Sequence, residues 1–465
     1  MSNMETLVRD YVEHIDSLSV PVDLDALVDS PIKPSVRGLN TRFSFTGGMA
    51  VGFAAFAVVL AVGAIATLGP FTPVSDTAET PPVVVGSSLD WSRVPHDDAV
   101  FSGSSEVLNN DVVVLELSMS DVAVGGPGLV AVGMEEWPDV GTPSAIAPSE
   151  PVVWTSVDGT TWTRLPHNEA VFGSAGIGGV IAGGPGLIAV GSRSVVRGVV
   201  NDAVVWTSPD GITWSQVPHD EAVFGSANMN SVTPFGSGYV AVGGTGTGQI
   251  RSGNAVAWTS PDGMTWTRAP HIEKTTAGST GQEGMSQVAA GSAGLVAIGH
   301  EWSDREEPFS PPIWNSRDGI SWSRVTDDEA FEGAAIGSVL AGGPGFVVAG
   351  SVGGDAAVWT SPDGIIWSRV PHDEAVFGGS EIASVARGGP GFVAVGSAGP
   401  DAAAWTSTDG ITWSRVPHDE AIFGAQPGVG MSSVVAFGSE IVAVGDSGGD
   451  WDRDAAVWIA KVEGP

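Results

Sequence analysis

The chain has 465 residues, of which 53 are acidic and 19 are basic, so its formal net charge at pH 7 is −34. Such an acidic surface lacks the Lys/Arg footprint that phosphates require, which excludes nucleic acid as a partner. The 65 Gly and 31 Pro residues imply many turns between short apolar runs, which is typical of all-β proteins. Cysteine is absent, so disulfides and thiolate metal sites are excluded.

Residues 1–42 are predicted to be a cytoplasmic segment with a short amphipathic helix. Apolar residues recur there at three- and four-residue spacing, as on one stripe of a helix: Leu7, Val8, Tyr11, Val12, Ile15 and Leu18. Pro31 and Pro34 then interrupt the pattern. The stripe would either rest on the membrane or dock a cytoplasmic partner, and both interpretations stay open.

Residues 43–69 are predicted to form a transmembrane helix, because residues 46–69 carry no charge. As a helix this uncharged stretch would be about 36 Å long, enough to cross a hydrocarbon core of roughly 30 Å. Three basic residues precede it: Lys33, Arg37 and Arg42. The positive-inside rule therefore places the N-terminus in the cytoplasm and the rest of the chain outside the cell. A cleaved signal peptide is the alternative, since Ala64-Ile65-Ala66 resembles a cleavage site, although its charged leader would be unusually long.

A Pro- and Thr-rich stretch, residues 70–87, is predicted to be an extended linker. From residue 88 to residue 465 the chain repeats a unit of about fifty residues. Each unit is predicted to be a four-stranded meander, and in one copy the strands are A over 380–388, B over 392–397, C over 401–407 and D over 411–417. Gly389-Pro390-Gly391, between A and B, is predicted to form a type II turn with Pro first and Gly second.

Tryptophan indicates the number of units. Strand C carries seven: Trp154, Trp206, Trp258, Trp314, Trp359, Trp405 and Trp458. Strand D also carries seven: Trp91, Trp162, Trp214, Trp266, Trp322, Trp367 and Trp413. The first strand D (89–94) has no strand C before it, and the last strand C (454–460) has no strand D after it, so the two complete one blade. The sequence therefore predicts an all-β, seven-bladed β-propeller of four-stranded antiparallel blades, closed by the N-terminal strand in the last blade.

The turn from strand C to strand D carries a motif that resembles the Asp-box of sialidase-like β-propellers. One copy reads Ser361-Pro362-Asp363-Gly364-Ile365-Ile366-Trp367, and there are six complete copies. Here Asp and Gly are adjacent, whereas the family usually has one residue between them. The resemblance covers residues 88–465 and implies a propeller on a membrane-anchored bacterial surface protein, without a particular activity. We expect the Asp to accept backbone N–H groups, the Gly to adopt positive φ and the Trp to cover the hairpin.

A second repeated element, Pro-His-Asp-Glu-Ala-Val-Phe, follows strand D. Six copies carry the histidine: His96, His167, His219, His271, His372 and His418. Imidazoles beside carboxylates suggest a metal site or a proton relay. However, an element needed once per blade is expected to be a joint, in which an acid caps a short turn and Phe fills the seam. Imidazoles spread around a seven-fold ring would also be too far apart to bind one ion.

Three further tryptophans lie in loops from strand B to strand C, each among acidic residues. In a meander these loops share a face with the D-to-A joints, and the resemblance implies that this is the ligand face. The predicted ligand-binding residues are Trp137, Glu136, Trp302, Glu301, Asp304, Trp451 and Asp452. Exposed Trp beside carboxylates suits a sugar platform or a protein-binding hot spot. Loops that simply fold over their own Trp would produce the same pattern.

No metal ion or other cofactor is expected. Asp450, Asp452 and Asp454 alternate as in a calcium loop, which makes calcium the weaker alternative, but the Gly and the distal Glu of a complete loop are missing.

The resemblance also raises sialidase activity, which would need a Tyr–Glu pair, an arginine triad and an acid/base Asp. Beyond the membrane segment the single tyrosine is Tyr239, which occupies a packing position of strand B, and the strand D arginines belong to the repeat. We therefore predict no catalytic residues, and enzyme activity stays uncertain. The leading hypothesis is a membrane-tethered extracellular module that binds a glycan or a protein through the B-to-C loop face. The alternatives are a surface structural or signal-transducing protein, or a glycoside hydrolase whose acids would be Glu135, Glu136, Glu301 or Glu306.

Overall fold

The computed structural model describes residues 89–108, 111–136, 150–196, 200–245, 253–270, 272, 282–302, 310–325, 328–424, 428–448 and 453–462. The predicted cytoplasmic helix, membrane helix and linker lie outside these ranges. Within them, no helix combines the length and the apolar character needed to cross a bilayer.

Seven four-stranded antiparallel sheets are arranged as the blades of a closed ring. The described chain begins with β1 (Leu89–Arg93), the short helix α1 (Asp98–Phe101) and a hairpin of β2 (Ser105–Leu108) and β3 (Asp111–Val114). Blade 1 contains β4 (Glu116–Gly125), β5 (Gly128–Glu136), β6 (Glu150–Ser156) and β7 (Trp162–Arg164). Blade 2 contains β8 (Ala175–Gly183), β9 (Gly186–Val196), β10 (Val200–Ser208) and β11 (Ser215–Gln216), and α2 (Glu221–Phe224) follows it.

The next three blades repeat this order. Blade 3 contains β12 (Ala227–Phe235), β13 (Gly238–Thr245), β14 (Ala255–Ser260) and β15 (Thr267–Arg268). Blade 4 contains β16 (Gln282–Gly291), β17 (Gly294–Trp302), β18 (Ile313–Ser316) and β19 (Trp322–Arg324), and a 3-10 helix (Asp328–Phe331) follows it. Blade 5 contains β20 (Ala334–Gly342), β21 (Gly345–Val352), β22 (Asp355–Ser361) and β23 (Ser368–Arg369), and α3 (Glu374–Phe377) follows it.

Blade 6 and blade 7 complete the ring. Blade 6 contains β24 (Ser380–Gly388), β25 (Gly391–Ala398), β26 (Asp401–Ser407) and β27 (Trp413–Arg415), and α4 (Glu420–Phe423) follows it. Blade 7 contains β28 (Gly430–Phe437), β29 (Glu440–Ser447), β30 (Asp454–Val462) and β1. In each blade the successive strands correspond to A, B, C and D of the sequence repeat.

The wrap-around closure predicted from the sequence is confirmed. Strand β1 pairs antiparallel with β30, with Trp91 opposite Ala460 and Arg93 opposite Trp458. The first strand of the described chain is therefore strand D of the last blade. This pairing leaves no incomplete blade in the ring, so the fold has the hidden edges that make a closed propeller stable against edge-to-edge association.

Two details of the predicted hairpins are wrong. Strand D of blade 6 spans only Trp413–Arg415, because the N–H groups of Ile411 and Thr412 donate to Asp409 in the turn instead of pairing with strand C. The turn before Gly391 is not of type II. Gly389 has φ of 55° and directly precedes Pro390, so the positive φ comes first, as in the type II′ turns that match the twist of hairpins.

The hydrophobic core lies between neighbouring blades rather than within one sheet. All seven strand C tryptophans are at most 1% exposed. The Trp206 side chain of blade 2, for example, belongs to one cluster with Val130 and Val153 of blade 1. Each blade therefore buries its apolar surface against the next, which is how repeat proteins gain stability from neighbour contacts.

Every strand A has a β-bulge at the same place, a feature that the sequence analysis missed. The bulged residues are Ser120, Gly178, Asn230, Ser286, Gly337, Ala383 and Ser432. All seven line a polar cavity of about 180 Å³. The residue after the bulge accepts an N–H from the next blade in four described cases: Asp121 from Val180, Ser231 from Val288, Gln287 from Val339 and Ser338 from Val385. The inner strands are thus joined by side chains where no sheet pairing connects them.

Asp121 joins three blades at this cavity. Its carboxylate accepts the Val180 N–H of blade 2 at 2.9 Å and the Ser433 hydroxyl of blade 7 at 2.8 Å. Burial nevertheless raises the pKa of Asp121 above its ordinary value, because loss of water outweighs the donors, which include the N–H of Val122. Asp121 therefore links the two blades next to blade 1, including the blade that closes the ring.

Trp91 in the closing strand β1 is expected to contribute strongly to the stability of the ring. Trp91 is 4% exposed and its ring centroid lies 6.0 Å from that of Phe423. Replacing a buried aromatic residue by Ala leaves a cavity, so Trp91→Ala is expected to lower the free energy of unfolding by about 3–5 kcal/mol. Urea unfolding of the full chain measures the change. Asp90→Ala, on the solvent side of the same strand, is the control and should shift the transition little; equal losses for both variants would contradict the assigned closure.

Candidate functional site

The motif turns between strands C and D have a structural role. In blade 1, Asp158 accepts the N–H groups of Thr160 at 2.9 Å and Thr161 at 2.7 Å, while the Trp162 indole donates to the Gly159 carbonyl at 2.7 Å. The six motif glycines have φ between 72° and 79°. These are the hydrogen bonds and the backbone conformation predicted for the turn. Its carboxylates are committed to the backbone of their own turn.

The repeated element after strand D is a joint, as predicted. Asp220 caps α2 by accepting the Ala222 N–H, and Phe224 at the end of the helix is buried. The indole of Trp258, in the following blade, donates to the Val223 carbonyl of this joint at 2.7 Å. The strand C tryptophans of blades 1, 2, 5, 6 and 7 bond the joint before them in the same way.

The joint histidines lie between two carboxylates. His219 Nε2 is 3.2 Å from Glu221 Oε2 and 3.6 Å from Asp202 Oδ2. Asp202 also accepts the Ser226 N–H, so this group ties both ends of the joint to strand C. Among the residues that the structure describes, three such groups have potential metal-ligating atoms within 4.8 Å of one another: Asp202/His219/Glu221, Asp355/His372/Glu374 and Asp401/His418/Glu420. One imidazole with two carboxylates is a donor set that a divalent cation accepts. The contacts among these side chains, and from Asp202 to the joint backbone, already account for them as parts of the joint.

The strand D arginines each contact a Trp or Glu side chain of their own blade. Four guanidinium groups lie over the strand C tryptophan of the same blade, at 5.4–5.9 Å from the ring centroid: Arg93, Arg268, Arg369 and Arg415. In blades 1 and 4 the arginine instead pairs with a buried glutamate. Arg164 lies 2.7 Å from Glu135. Arg324 lies 2.7 Å from Glu283. These arginines are thus distributed around the ring rather than converging on one site.

Two residues considered for catalysis have structural roles. Glu135 is 5% exposed, and besides its ion pair with Arg164 it accepts the N–H of Ser104. Glu135 is thus held in a buried ion pair, and its role as a hydrolytic acid stays a hypothesis. Tyr239 is a packing residue, as predicted, and its hydroxyl accepts the Gly184 N–H of the neighbouring blade at 2.6 Å.

Most of the predicted ligand-binding residues lie outside the described part of the chain: Trp137, Asp304, Trp451 and Asp452, together with Asp450 of the possible calcium triplet and Glu306. Glu301 and Trp302 are the last residues of β17, in register with Glu283 and Gln282. Glu136 is the last residue of β5. These three residues therefore lie at the strand B ends on the face that carries the joints, here called the joint face.

Glu136 belongs to a group of charged side chains between blades 1 and 7, here called the carboxylate cluster. It contains Glu116, Glu136, Asp446 and Arg453. Glu116 is in register with Glu136, and the N–H of Leu117 donates to the Arg453 carbonyl across the two blades. Arg453 Nε is 3.1 Å from Asp446 Oδ2. The Arg453 guanidinium thus pairs with Asp446, while Glu116 and Glu136 lie close enough for their charges to interact, so three carboxylates and one guanidinium leave a local excess of negative charge on the joint face.

The cluster changes the acidity of two of its members. Partial burial, followed by the charge of Glu116, raises the pKa of Glu136, while Arg453 lowers it. Burial also raises the pKa of Asp446, with Arg453 opposing and Glu116 adding to the shift. Titratable groups perturbed by both desolvation and specific partners are enriched at functional sites. The carboxylates of the cluster can accept hydrogen bonds from hydroxyls or attract a cationic group.

The residue that follows the strand B glycine shows where the repeat is broken. Small or apolar residues hold this position in five blades: Met134, Ser192, Gly244, Ser351 and Ser397. Blade 7 has Asp446 there and blade 4 has His300. Burial lowers the pKa of His300, which favours its neutral form. Sequence reasoning missed Glu116, Asp446 and Arg453, although an alignment of the seven repeats at this position would have indicated Asp446.

The strand pairing defines the class of protein as a closed seven-bladed β-propeller. No protein-family model and no curated protein matches the chain.

Similar solved structures include a Dyadobacter fermentans protein of unknown function, 12% identical, with a TM-score of 0.43 over 81% of this chain and 100% of that one. A Trypanosoma rangeli sialidase in complex with sialic acid is 12% identical, with a TM-score of 0.43 over 81% of this chain and 59% of that one. A Penicillium chrysogenum α-L-arabinanase complexed with arabinobiose is 14% identical, with a TM-score of 0.39 over 80% and 98%. At these scores the similarities carry no argument about activity, and the fold assignment rests on the strand pairing of the chain itself.

The charge of the motif aspartate is expected to make the free energy of unfolding depend on pH. Hydrogen bonds, chiefly from the Thr161 N–H, lower the pKa of Asp158 from 3.8 to about 2. A depressed folded-state pKa means that ionised Asp158 stabilises the fold above the unfolded pKa, and that this contribution is lost as pH falls through about 2. Asp158→Asn should lower the free energy of unfolding at pH 7 by about 1 kcal/mol at most, since the site is exposed and screened.

Urea unfolding at a series of pH values checks this expectation. The difference between the wild type and Asp158→Asn should shrink steadily between pH 4 and pH 2, where the wild-type carboxylate becomes protonated. Asp90→Asn, at an exposed strand position, controls for the removal of one charge. A difference that is independent of pH would show that Asp158 acts without its charge.

Proposed function

We propose that this protein is a membrane-tethered extracellular binding module that recognises a glycan or a protein through the joint face of its propeller. The carboxylate cluster between blades 7 and 1 carries the proposal. Elsewhere the described charged groups of this face mostly belong to repeated joints or to buried ion pairs, whereas this cluster combines an excess of acids with perturbed pKa values. Residues 43–69 supply the proposed tether, and the chain from residue 88 supplies the module.

The chemistry of the cluster fits a ligand rich in hydroxyls or one that presents a cationic group. Carboxylates accept hydrogen bonds from sugar hydroxyls, and they pair with Lys or Arg of a protein. In sequence, Trp137 follows Glu136 directly, and Trp451 lies two residues before Arg453. We expect these two tryptophans to supply apolar surface to the ligand, since aromatic side chains near polar groups are the combination found where pyranose rings stack or protein hot spots form.

The binding test uses the full chain in lipid nanodiscs against arrays of surface glycans and extracellular proteins. Once a ligand is found, Glu136→Gln and Asp446→Asn should each weaken binding about tenfold or more, because each removes a charge-assisted acceptor worth roughly 1.5–3 kcal/mol. Glu440→Gln is the matched control, since Glu440 begins the strand on which Asp446 lies and is placed at the opposite face. Binding that is unchanged in both cluster variants would reject this surface as the site.

A glycoside hydrolase is the second candidate, favoured by one observation. A general acid needs a carboxyl group with a raised pKa, and burial shifts the pKa of both Glu136 and Asp446 in that direction. In this case Glu136→Gln should abolish turnover of a bound glycan and leave its affinity nearly unchanged. For the binding module, the same variant loses affinity and the wild type shows no turnover.

A further inference from the structure

The exposed large hydrophobic side chains of the described chain concentrate on the face opposite the joints. This turn face carries the A-to-B and C-to-D turns. Seven of the nine such side chains lie in C-to-D turns: Val157, Ile212, Met264, Ile320, Ile365, Ile366 and Ile411, with exposed fractions between 43% and 66%. They represent six consecutive blades. An eighth, Val124, comes just before the A-to-B turn of blade 1.

The turns themselves do not require these apolar side chains. In blades 2 to 6 an aliphatic residue or Met follows the motif glycine, and its contribution to the turn is a backbone N–H that donates to the motif Asp. Blade 1 has Thr160 at this position, and its N–H makes the same bond at 2.9 Å. A polar side chain is therefore compatible with the turn. Exposed apolar side chains that recur on one face of six blades, and that the fold does not need, make this face a candidate contact surface.

The chain enters the propeller on this same face. Strand β30 runs from the joint face at Asp454 to the turn face at Val462, and Leu89 is in register with Val462. The chain before Leu89 therefore joins the propeller at the turn face, at the position of blade 7 where the other six blades have their motif turns. Any anchor preceding residue 89 is thus connected to the apolar side of the ring.

We propose that the turn face lies on a lipid bilayer, with its ring of aliphatic side chains in the headgroup region. This inference rests on the proposed membrane tether and adds an orientation to it, in which the joint face points away from the membrane. Weak contacts suffice, because a tethered module is held at high effective concentration beside its surface.

Charge selects the kind of lipid. Each of the six motif turns carries an aspartate, and the ring of exposed side chains is therefore interleaved with negative charges: Asp158, Asp210, Asp262, Asp318, Asp363 and Asp409. Anionic headgroups would be repelled by this pattern. The favoured surface is therefore zwitterionic, and added anionic lipid should weaken the contact.

The absence of native cysteine permits a site-specific test on the full chain in phosphatidylcholine vesicles. Single variants Ile212→Cys, Ile320→Cys and Ile411→Cys receive an environment-sensitive fluorophore, and Glu374→Cys and Glu420→Cys on the joint face are the controls. We expect a blue shift and quenching by lipids that carry the quencher about 5–10 Å below the surface, at the turn-face positions only. Replacing part of the phosphatidylcholine by phosphatidylglycerol should reduce both effects.

A second set of variants separates contact from folding. Met264→Thr, Ile365→Thr and Ile411→Thr imitate Thr160, and Ile366→Thr imitates Thr161, so together they should leave the unfolding transition in place. They should nevertheless remove the quenching of the probe at position 320. Quenching that survives these changes would overturn the role of the aliphatic ring.

Flotation with the vesicles distinguishes failure of the inference from failure of the tether. A chain that does not float refutes the tether itself. A chain that floats while its turn-face probes stay unquenched, or are quenched equally with the joint-face probes, refutes the orientation alone. A blue shift without lipid quenching that disappears on dilution to one chain per vesicle assigns the face to a second copy and also overturns the lipid contact.

Discussion

The hydrogen bond from the strand C tryptophan to the preceding joint is the interaction on which the ring depends. Each described bond of this kind joins a buried indole N–H to a backbone carbonyl of the short turn or helix before its blade, as Trp405 does with Val376 at 2.8 Å. Without a partner, a buried indole N–H and a joint carbonyl would both lose water at a free-energy cost. One contact therefore sets the spacing between blades, fills the seam and satisfies two polar groups at once.

Around this interaction the repeated residues have largely structural roles. The motif Asp and Gly shape the outer turn, the joint Asp caps a helix, and the Arg of strand D lies over a Trp or pairs with a Glu. Function is then expected where one blade differs from the others. The carboxylate cluster meets this criterion, because its acids come from two blades that meet at the closure, and Glu116 and Arg453 influence the pKa of both Glu136 and Asp446.

Much of the fold could be predicted from the sequence because the repeat is internally consistent. Seven Trp pairs and the incomplete first and last units were sufficient to predict the wrap-around pairing of Trp91 with the last strand. The strand A bulges were harder, since a bulge keeps the apolar pattern on both sides and shifts it by one residue. The type II′ turn was missed because Pro next to Gly suits two turn types, and the pattern alone does not say which residue has the positive φ.

The candidate site was less predictable than the fold. Trp and acids in the long loops drew attention to the joint face, and Glu136 indeed lies there. An alignment of the repeats marks Asp446, but the spacing could not group Asp446 and Arg453 of blade 7 with Glu116 and Glu136 of blade 1, because the two pairs are more than 300 residues apart in the chain. Glu135 forms a buried ion pair with Arg164, whereas burial and the charge of Glu116 raise the pKa of the adjacent Glu136 against the effect of Arg453. Glu135 and Glu136 are adjacent in the chain, but their environments are set by side chains from distant parts of the sequence.

The pairing of β1 with β30 also has a consequence for biosynthesis. Ser92 and Ile459, bonded across these strands, are 367 residues apart, so β1 can pair only after the residues that separate it from β30 have been synthesised. Until β30 has been synthesised, β1 has no partner strand. Such long-range pairing is slow and leaves intermediates open to association. A premature stop shortly before Asp454 would remove the partner of β1 and leave a ring that cannot close.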